Sequence, residues 1–137
     1  LRVREQRVAG QLYSQTVMEH FRNPRNVGEL ADADAVGEAT NPVCGDTTRL
    51  YLKVVAGRIA DVRFQTLGCA AAIASSSMAT EMMRGRTLEE ALREVTRDTI
   101  TAALGGLPAA KVHCSVLASD ALEAAVADYH RRQSSGG

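Results

Sequence analysis

The chain is expected to fold as a small α+β domain: an antiparallel sheet of about three strands with helices packed on one face. Three observations predict it. Period-two alternation is confined to the first half, around residues 50–64, helical periodicity dominates after residue 69, and the stretch 24–47 is rich in Gly, Pro, Asn and Asp and reads as loop. Strands that come early and helices that come late argue against an alternating parallel architecture.

Taken in order, residues 1–10 read as a flexible N-terminal segment, 11–132 as a single domain, and 133–137 as a flexible polar tail. Ser14 caps a helix running to about Arg22, with Val17, Met18 and Phe21 on one side, and Asn23-Pro24 stops it. One short strand is expected near Val36–Ala39. Leu50, Leu52 and Val54 then share one face of a strand, and Tyr51 and Lys53 the other. Ala60, Val62 and Phe64 repeat the pattern after Gly57. Pairing Val54 with Ala60, Leu52 with Val62 and Leu50 with Phe64 aligns the apolar sets and implies a three-residue loop, Ala56-Gly57-Arg58. A two-residue loop would set Leu52 against Asp61 and spoil the face. Beyond Cys69, residues 70–84 form an Ala- and Met-rich helix. Thr87 and Glu90 make a capping box that starts a helix to about Val95. A short helix near 97–104 ends at Gly105-Gly106. The last helix runs from about Ser115 to Arg131, with Leu117, Ala121, Leu122, Ala125, Val126 and Tyr129 as its apolar stripe.

Composition narrows the function classes. Lys plus Arg total 16, as do Asp plus Glu, so no general attraction to nucleic acid or to an acidic membrane surface is expected. No apolar run approaches the roughly 20 residues of a membrane helix, and no apolar segment follows Arg2, Arg4 and Arg7 as a secretory signal would require. A cytoplasmic location is therefore expected. Three cysteines, an odd number without a Cys-x-x-Cys pair, argue against a disulfide framework and fit free thiols in a reducing compartment.

Those cysteines sit at element boundaries rather than in apolar stripes. Cys44 lies in the loop Asn41-Pro42-Val43-Cys44-Gly45-Asp46, Cys69 opens a helix, and Cys114 follows Lys111-Val112-His113 at the start of the last one. The positive end of a helix dipole favours thiolate at Cys69 and Cys114, and Lys111 adds charge near the latter. In an extended segment Cys44 and Asp46 face the same side. The ligand set is then Cys44, Asp46, Cys69, His113 and Cys114. Soft thiolates select zinc, copper(I) or iron–sulfur clusters, and with three thiolates the fourth ligand falls to His113 or Asp46. Neighbours on a helix point about 100° apart, so His113 and Cys114 share a site only if the helix starts after them, and an exchangeable fourth ligand is expected. His20 and His130 read as surface residues. Ser75-Ser76-Ser77 reads as a set of small, close-packing positions.

The sequence resembles the IscU/NifU family of iron–sulfur scaffold proteins. The matching segments are Tyr13-Ser14 with Glu19-His20-Phe21, Asn23-Pro24-Arg25-Asn26-Val27-Gly28, Cys44-Gly45-Asp46, Thr66-Leu67-Gly68-Cys69 with Ile73-Ala74-Ser75-Ser76-Ser77, and Lys111-Val112-His113-Cys114-Ser115-Val116-Leu117-Ala118. The resemblance implies a SufE/NifU-like fold and an assembly scaffold rather than a turnover enzyme. Such a scaffold takes sulfur from a cysteine desulfurase as a persulfide on Cys114 or Cys69 and gathers iron. It builds a labile 2Fe-2S cluster with an electron donor such as a ferredoxin, and passes the cluster to apo-proteins. Cys44, Asp46, Cys69, His113 and Cys114 match the family's site, with zinc as an occupant of the apo form. Leu107-Pro108-Ala109-Ala110-Lys111 departs from the Leu-Pro-Pro-Val-Lys read by an Hsp70-type chaperone. That departure puts this partner in doubt and leans toward a NifU-like chain, stand-alone or the first part of a longer one. Homo-oligomer formation stays open. The rival readings are a zinc-binding persulfide carrier of the SufU type, a structural zinc site, and a thiol enzyme pairing a cysteine with His113.

Overall fold

The structure, a computed structural model, describes residues 5–8 and 11–135. The expected loose ends fall partly outside these residues. Within them, β1 (Glu5–Val8) and β2 (Gln11–Ser14) pair antiparallel as a small separate ribbon. At Ser14 the chain turns into α1 (Gln15–Arg22), and the Ser14 hydroxyl accepts from the Val17 N–H at 3.1 Å. That bond satisfies one of the donors a helix start leaves unpaired.

The main sheet has the order β3-β4-β5, all antiparallel, from β3 (Ala35–Thr40), β4 (Thr47–Val55) and β5 (Arg58–Leu67). Leu50 pairs with Phe64 and Leu52 with Val62, as the alternation predicts. The turn differs. Only Ala56 and Gly57 lie between Val55 and Arg58, with φ of +53° and +78°, the pair of left-handed residues a tight hairpin turn needs. The expected loss of face is averted by a bulge between Lys53 and Val54, which pairs Val54 with Ile59 and restores the register toward Leu52. Ile59 therefore takes the buried position assigned to Ala60, which is exposed.

Four helices follow. They are α2 (Ala70–Met83), α3 (Leu88–Glu94), α4 (Arg97–Ala103) and α5 (His113–Ser135), with a 3₁₀ turn at Ala109–Lys111 before the last. Thr87 and Glu90 form the expected capping box, and Thr96 and Thr99 form a second one. α5 begins two residues before its expected start and continues to Ser135. Among the described residues no helix is long and apolar enough to cross a membrane.

α2 and α5 cover one face of the sheet. α5 lies so close to β3 that a Cβ on Gly37 would fall 2.2 Å from the Ala125 backbone nitrogen. Asp128 fastens the same helix to the sheet edge. Its buried carboxylate accepts from the Val36 N–H at 2.9 Å and pairs with Arg131 and Arg132. The opposite face carries Glu38 and Arg49, an ion pair at 2.9 Å, and Tyr51, whose hydroxyl donates to Gln65 at 2.8 Å.

One sequence expectation is overturned inside this core. His20 is not a surface residue: it is 8% exposed, between α1 and α2. Its Nδ1 lies 2.8 Å from the Ser77 hydroxyl, and that oxygen accepts from the Arg25 N–H at 2.9 Å. Burial and then the Arg25 charge hold the His20 pKa below its ordinary value. His130 is exposed, as expected.

Candidate metal centre

Three separate stretches of chain deliver the candidate ligands. The first is the loop 41–46 between β3 and β4. Asn41 shapes it: its Oδ1 accepts from the N–H groups of Val43 at 2.8 Å and Cys44 at 3.3 Å. Its carbonyl accepts from Gly45, and its own N–H donates to the Asp46 carbonyl, both at 2.8 Å. Gly45 sits at φ +80°, a conformation that costs glycine nothing. Cys44 is left exposed at the loop tip and Asp46 half-buried where β4 begins.

The second stretch is the junction of β5 with α2, where Cys69 is the N-cap residue in an extended conformation. Beneath it, the hydroxyls of Thr48, Thr66 and Ser76 bond to one another at 2.9–3.1 Å, and Ser76 donates to the Ala72 carbonyl. This network pins the first turns of α2 to β4 and β5. Ser76 and Ser77 thus do more than pack closely. The third stretch is the start of α5, where His113 is the first helical residue and Cys114 the second.

The geometry brings all five residues together. Cys69 Sγ and Cys114 Sγ are 3.8 Å apart. The Nε2 of His113 is 3.7 Å from Cys114 Sγ and 3.9 Å from Cys44 Sγ. Ligand atoms of Asp46, Cys69 and Cys114 lie within 4.8 Å of one another. His113 reaches the site although α5 starts at it rather than after it, because the tip of its ring turns toward Cys114. The donor chemistry fits a soft metal. Two thiolates bound at about 2.3 Å to one tetrahedral ion stand roughly 3.8 Å apart, which is the separation of Cys69 and Cys114.

The two inner thiols share a proton unequally. Cys69 is lowered to about 5, chiefly by the hydrogen bond from the Cys114 S–H. The backbone N–H of Ala72, the Lys111 ammonium and the backbone N–H of Ala71 act in the same direction, and partial burial opposes them. Cys114 is pushed up, first because it donates to Cys69 and then because it is buried at 1% exposure. The nearby negative charges of Cys69 and Asp46 add to this. A helix start therefore favours thiolate at Cys69 as expected, while at Cys114 burial and neighbouring anions outweigh it. Exposure falls from Cys44 through Cys69 to Cys114, so the site is open on the Cys44 side. There a hollow of about 280 Å³ is lined by Asn41, Val43, Cys44 and His113.

Two contributors escape a reading by residue type. Asn41 orders the Cys44 loop, and only the Asn-Pro turn signal at 41–42 hinted at it. Gly68 lets Asp46 approach, since a Cβ there would fall 2.8 Å from the Asp46 carboxylate.

Comparison with known proteins gives the relatives of the chain. The family model described as "NifU-like N terminal domain" matches residues 12–135. The chain is 60% identical over 121 residues to iron–sulfur cluster assembly scaffold protein IscU 1 of Archaeoglobus fulgidus, covering 88% of this chain and 78% of that protein. It is 51% identical over 125 residues to the scaffold protein IscU of Azotobacter vinelandii, covering 88% and 96% respectively. The crystal structure of the N-terminal part of a NifU-like protein from Brucella abortus superposes with a TM-score of 0.70 at 24% identity, over 86% of this chain and 94% of that one, a likeness in fold.

Proposed function

The chain belongs to the NifU-like N-terminal domain family, and on that premise we propose that it is a scaffold on which a 2Fe-2S cluster is assembled and from which it is passed on. The observation that carries the reading is the convergence of Cys44, Asp46, Cys69, His113 and Cys114 from three stretches of chain onto one open site. The cluster is cargo rather than a resident cofactor. Its donor is a cysteine desulfurase, and its acceptors are apo-proteins. The named role of the two IscU relatives supports the same conclusion.

The chemistry follows from the shared proton. Cys69, held as thiolate, attacks the outer sulfur of the desulfurase persulfide. A new S–S bond forms on the scaffold, and the donor cysteine leaves as a thiolate, with no net oxidation. Cys114, one hydrogen bond away, gives its proton to the departing thiolate and so becomes the second acceptor. Two sulfane sulfurs then become two sulfides by taking up four electrons. Two ferrous ions provide two of these on becoming ferric, and an electron donor such as a ferredoxin provides the other two. Cys44, Cys69 and Cys114 bind the product, and Asp46 or His113 completes the set. A carboxylate is a harder and weaker partner for iron than a fourth thiolate, which keeps the cargo releasable. Asp46→Ala is therefore expected to give a longer-lived holo form.

The test is anaerobic reconstitution with iron, cysteine and a cysteine desulfurase, followed by visible spectroscopy and iron and sulfide analysis. A labile two-iron chromophore that Cys44→Ser, Cys69→Ser and Cys114→Ser each abolish, and that moves to an apo-ferredoxin, is expected. A second reading is favoured by the sulfur–sulfur separation, which suits zinc equally: a zinc-binding persulfide carrier. Tight zinc and persulfide on the chain, with no chromophore, would decide for it.

A further inference from the structure

We propose that Gly68 is a positioning residue for Asp46: the missing side chain at position 68 is what allows the carboxylate to lean over the β5–α2 junction and reach Cys69 and Cys114. The inference rests on the reading of Asp46 as the weak, exchangeable ligand. A Cβ built on Gly68 would lie 2.8 Å from both Cγ and Oδ2 of Asp46, and 3.0 Å from the Ala72 Cβ. The two approaches to Asp46 are closer than real Cβ atoms show, so something must move.

What moves is decided by what is free. Ala72 sits on the buried first turn of α2, which the Thr48–Thr66–Ser76 hydroxyls hold to the sheet. The Asp46 carboxylate is the end of a short side chain that turns about two bonds. Gly68 itself is not among the glycines with positive φ, so its backbone conformation is open to alanine. A methyl group at 68 therefore displaces the carboxylate and leaves the loop in place. Position 68 would then set how long the cargo stays, through a residue that never touches it.

The experiment uses the full chain as parent, Gly68→Ala, Asp46→Ala and the double variant, each reconstituted with iron and sulfide. Cluster half-life is read by the decay of the visible chromophore. The site is read independently by the visible absorption of cobalt(II) bound in place of iron, and the fold by thermal melting. Gly68→Ala should lengthen the half-life by about tenfold, the size though not the direction that changes in what orients a ligand usually have, and should match Asp46→Ala. The double variant should live no longer than either single one, and the cobalt bands of all three variants should coincide. Any melting temperature lost in Gly68→Ala should be regained in the double variant, where the methyl group finds room.

Gly68→Ala behaving as the parent, beside a long-lived Asp46→Ala, would overturn this inference and leave the reading of Asp46 standing. An unchanged half-life in Asp46→Ala would overturn both. Effects that multiply in the double variant, or stability lost in Gly68→Ala and not regained there, would show that position 68 acts by another route and would also overturn it.

Discussion

Gly37→Ala puts the link between the sheet and the site to a direct test. The added methyl carbon would fall 2.2 Å from the Ala125 nitrogen, 2.4 Å from the Ala121 oxygen and 2.6 Å from the Ala125 Cα. All three are main-chain atoms of α5, so no rotamer relieves them. The helix must retreat by roughly 1.3 Å to reach ordinary van der Waals separation. Overpacking of this kind typically costs 1–3 kcal/mol, and a clash with main-chain atoms sits at the upper end, about 3 kcal/mol. The shift does not stay local, because α5 begins with His113 and Cys114. Metal sites tolerate roughly 0.2 Å in ligand distance, so a displacement of more than about 1 Å should weaken cobalt(II) or zinc binding by tenfold or more. Urea unfolding of the metal-free protein measures the first quantity and competition with a chelator the second. A stability loss below about 1 kcal/mol would refute the packing argument. A full stability loss with unchanged metal affinity would refute the transmission through α5.

Three further outcomes are expected. Thr87→Ala should cost about 1 kcal/mol by removing the cap on α3, and should leave cobalt binding untouched; urea unfolding and metal titration separate the two. Alkylation of Cys69 in the metal-free protein should follow a midpoint of about 5, with the thiolate present above it. Cys114→Ala removes the donor that holds this value down, so mass spectrometry should find the midpoint raised toward the ordinary 9.0. His20, whose folded pKa is below the ordinary 6.5, takes up its proton more readily unfolded than folded. Its stabilising effect is complete above that ordinary value and is lost as pH falls below it. Melting temperature should therefore fall from pH 7 to pH 5 in the parent and less so in His20→Asn. Parallel slopes in the two proteins would remove His20 as the cause.

Much of the fold was legible because its signals are local. Alternation placed β4 and β5 and their inner register, Thr87 announced its capping box, and the Gly105-Gly106 stop bounded α4. The misplaced features are those where one local preference yields to another. Of the two turn residues only Gly57 signals a tight turn, since Ala56 takes a left-handed φ of +53° that alanine rarely adopts, and a bulge reconciles the turn with the apolar face, which puts Ile59 rather than Ala60 inside. His20 looks polar on its own helix and is buried only because Ser77, some 57 residues away, supplies a partner. The same holds at the site. Residue type and spacing singled out the five candidate ligands, yet nothing local distinguishes the thiol of Cys69 from that of Cys114. Burial and the hydrogen bond between them do, and both arise from α2 and α5 meeting.

The delivery of the ligands by three distant stretches also gives the cargo a mechanical consequence. On the proposed ligand set, a bound cluster closes the chain on itself, and the segment between Cys69 and Cys114 alone spans 45 positions. Tying such a loop lowers the entropy of the unfolded chain by an amount equivalent to about 4 kcal/mol, by the same reasoning that applies to a disulfide. Loading is then a reversible stitch through the fold, and handing over the cluster cuts it. The empty protein is therefore the less stable of the two against unfolding, because its unfolded chain regains the freedom that the stitch removed.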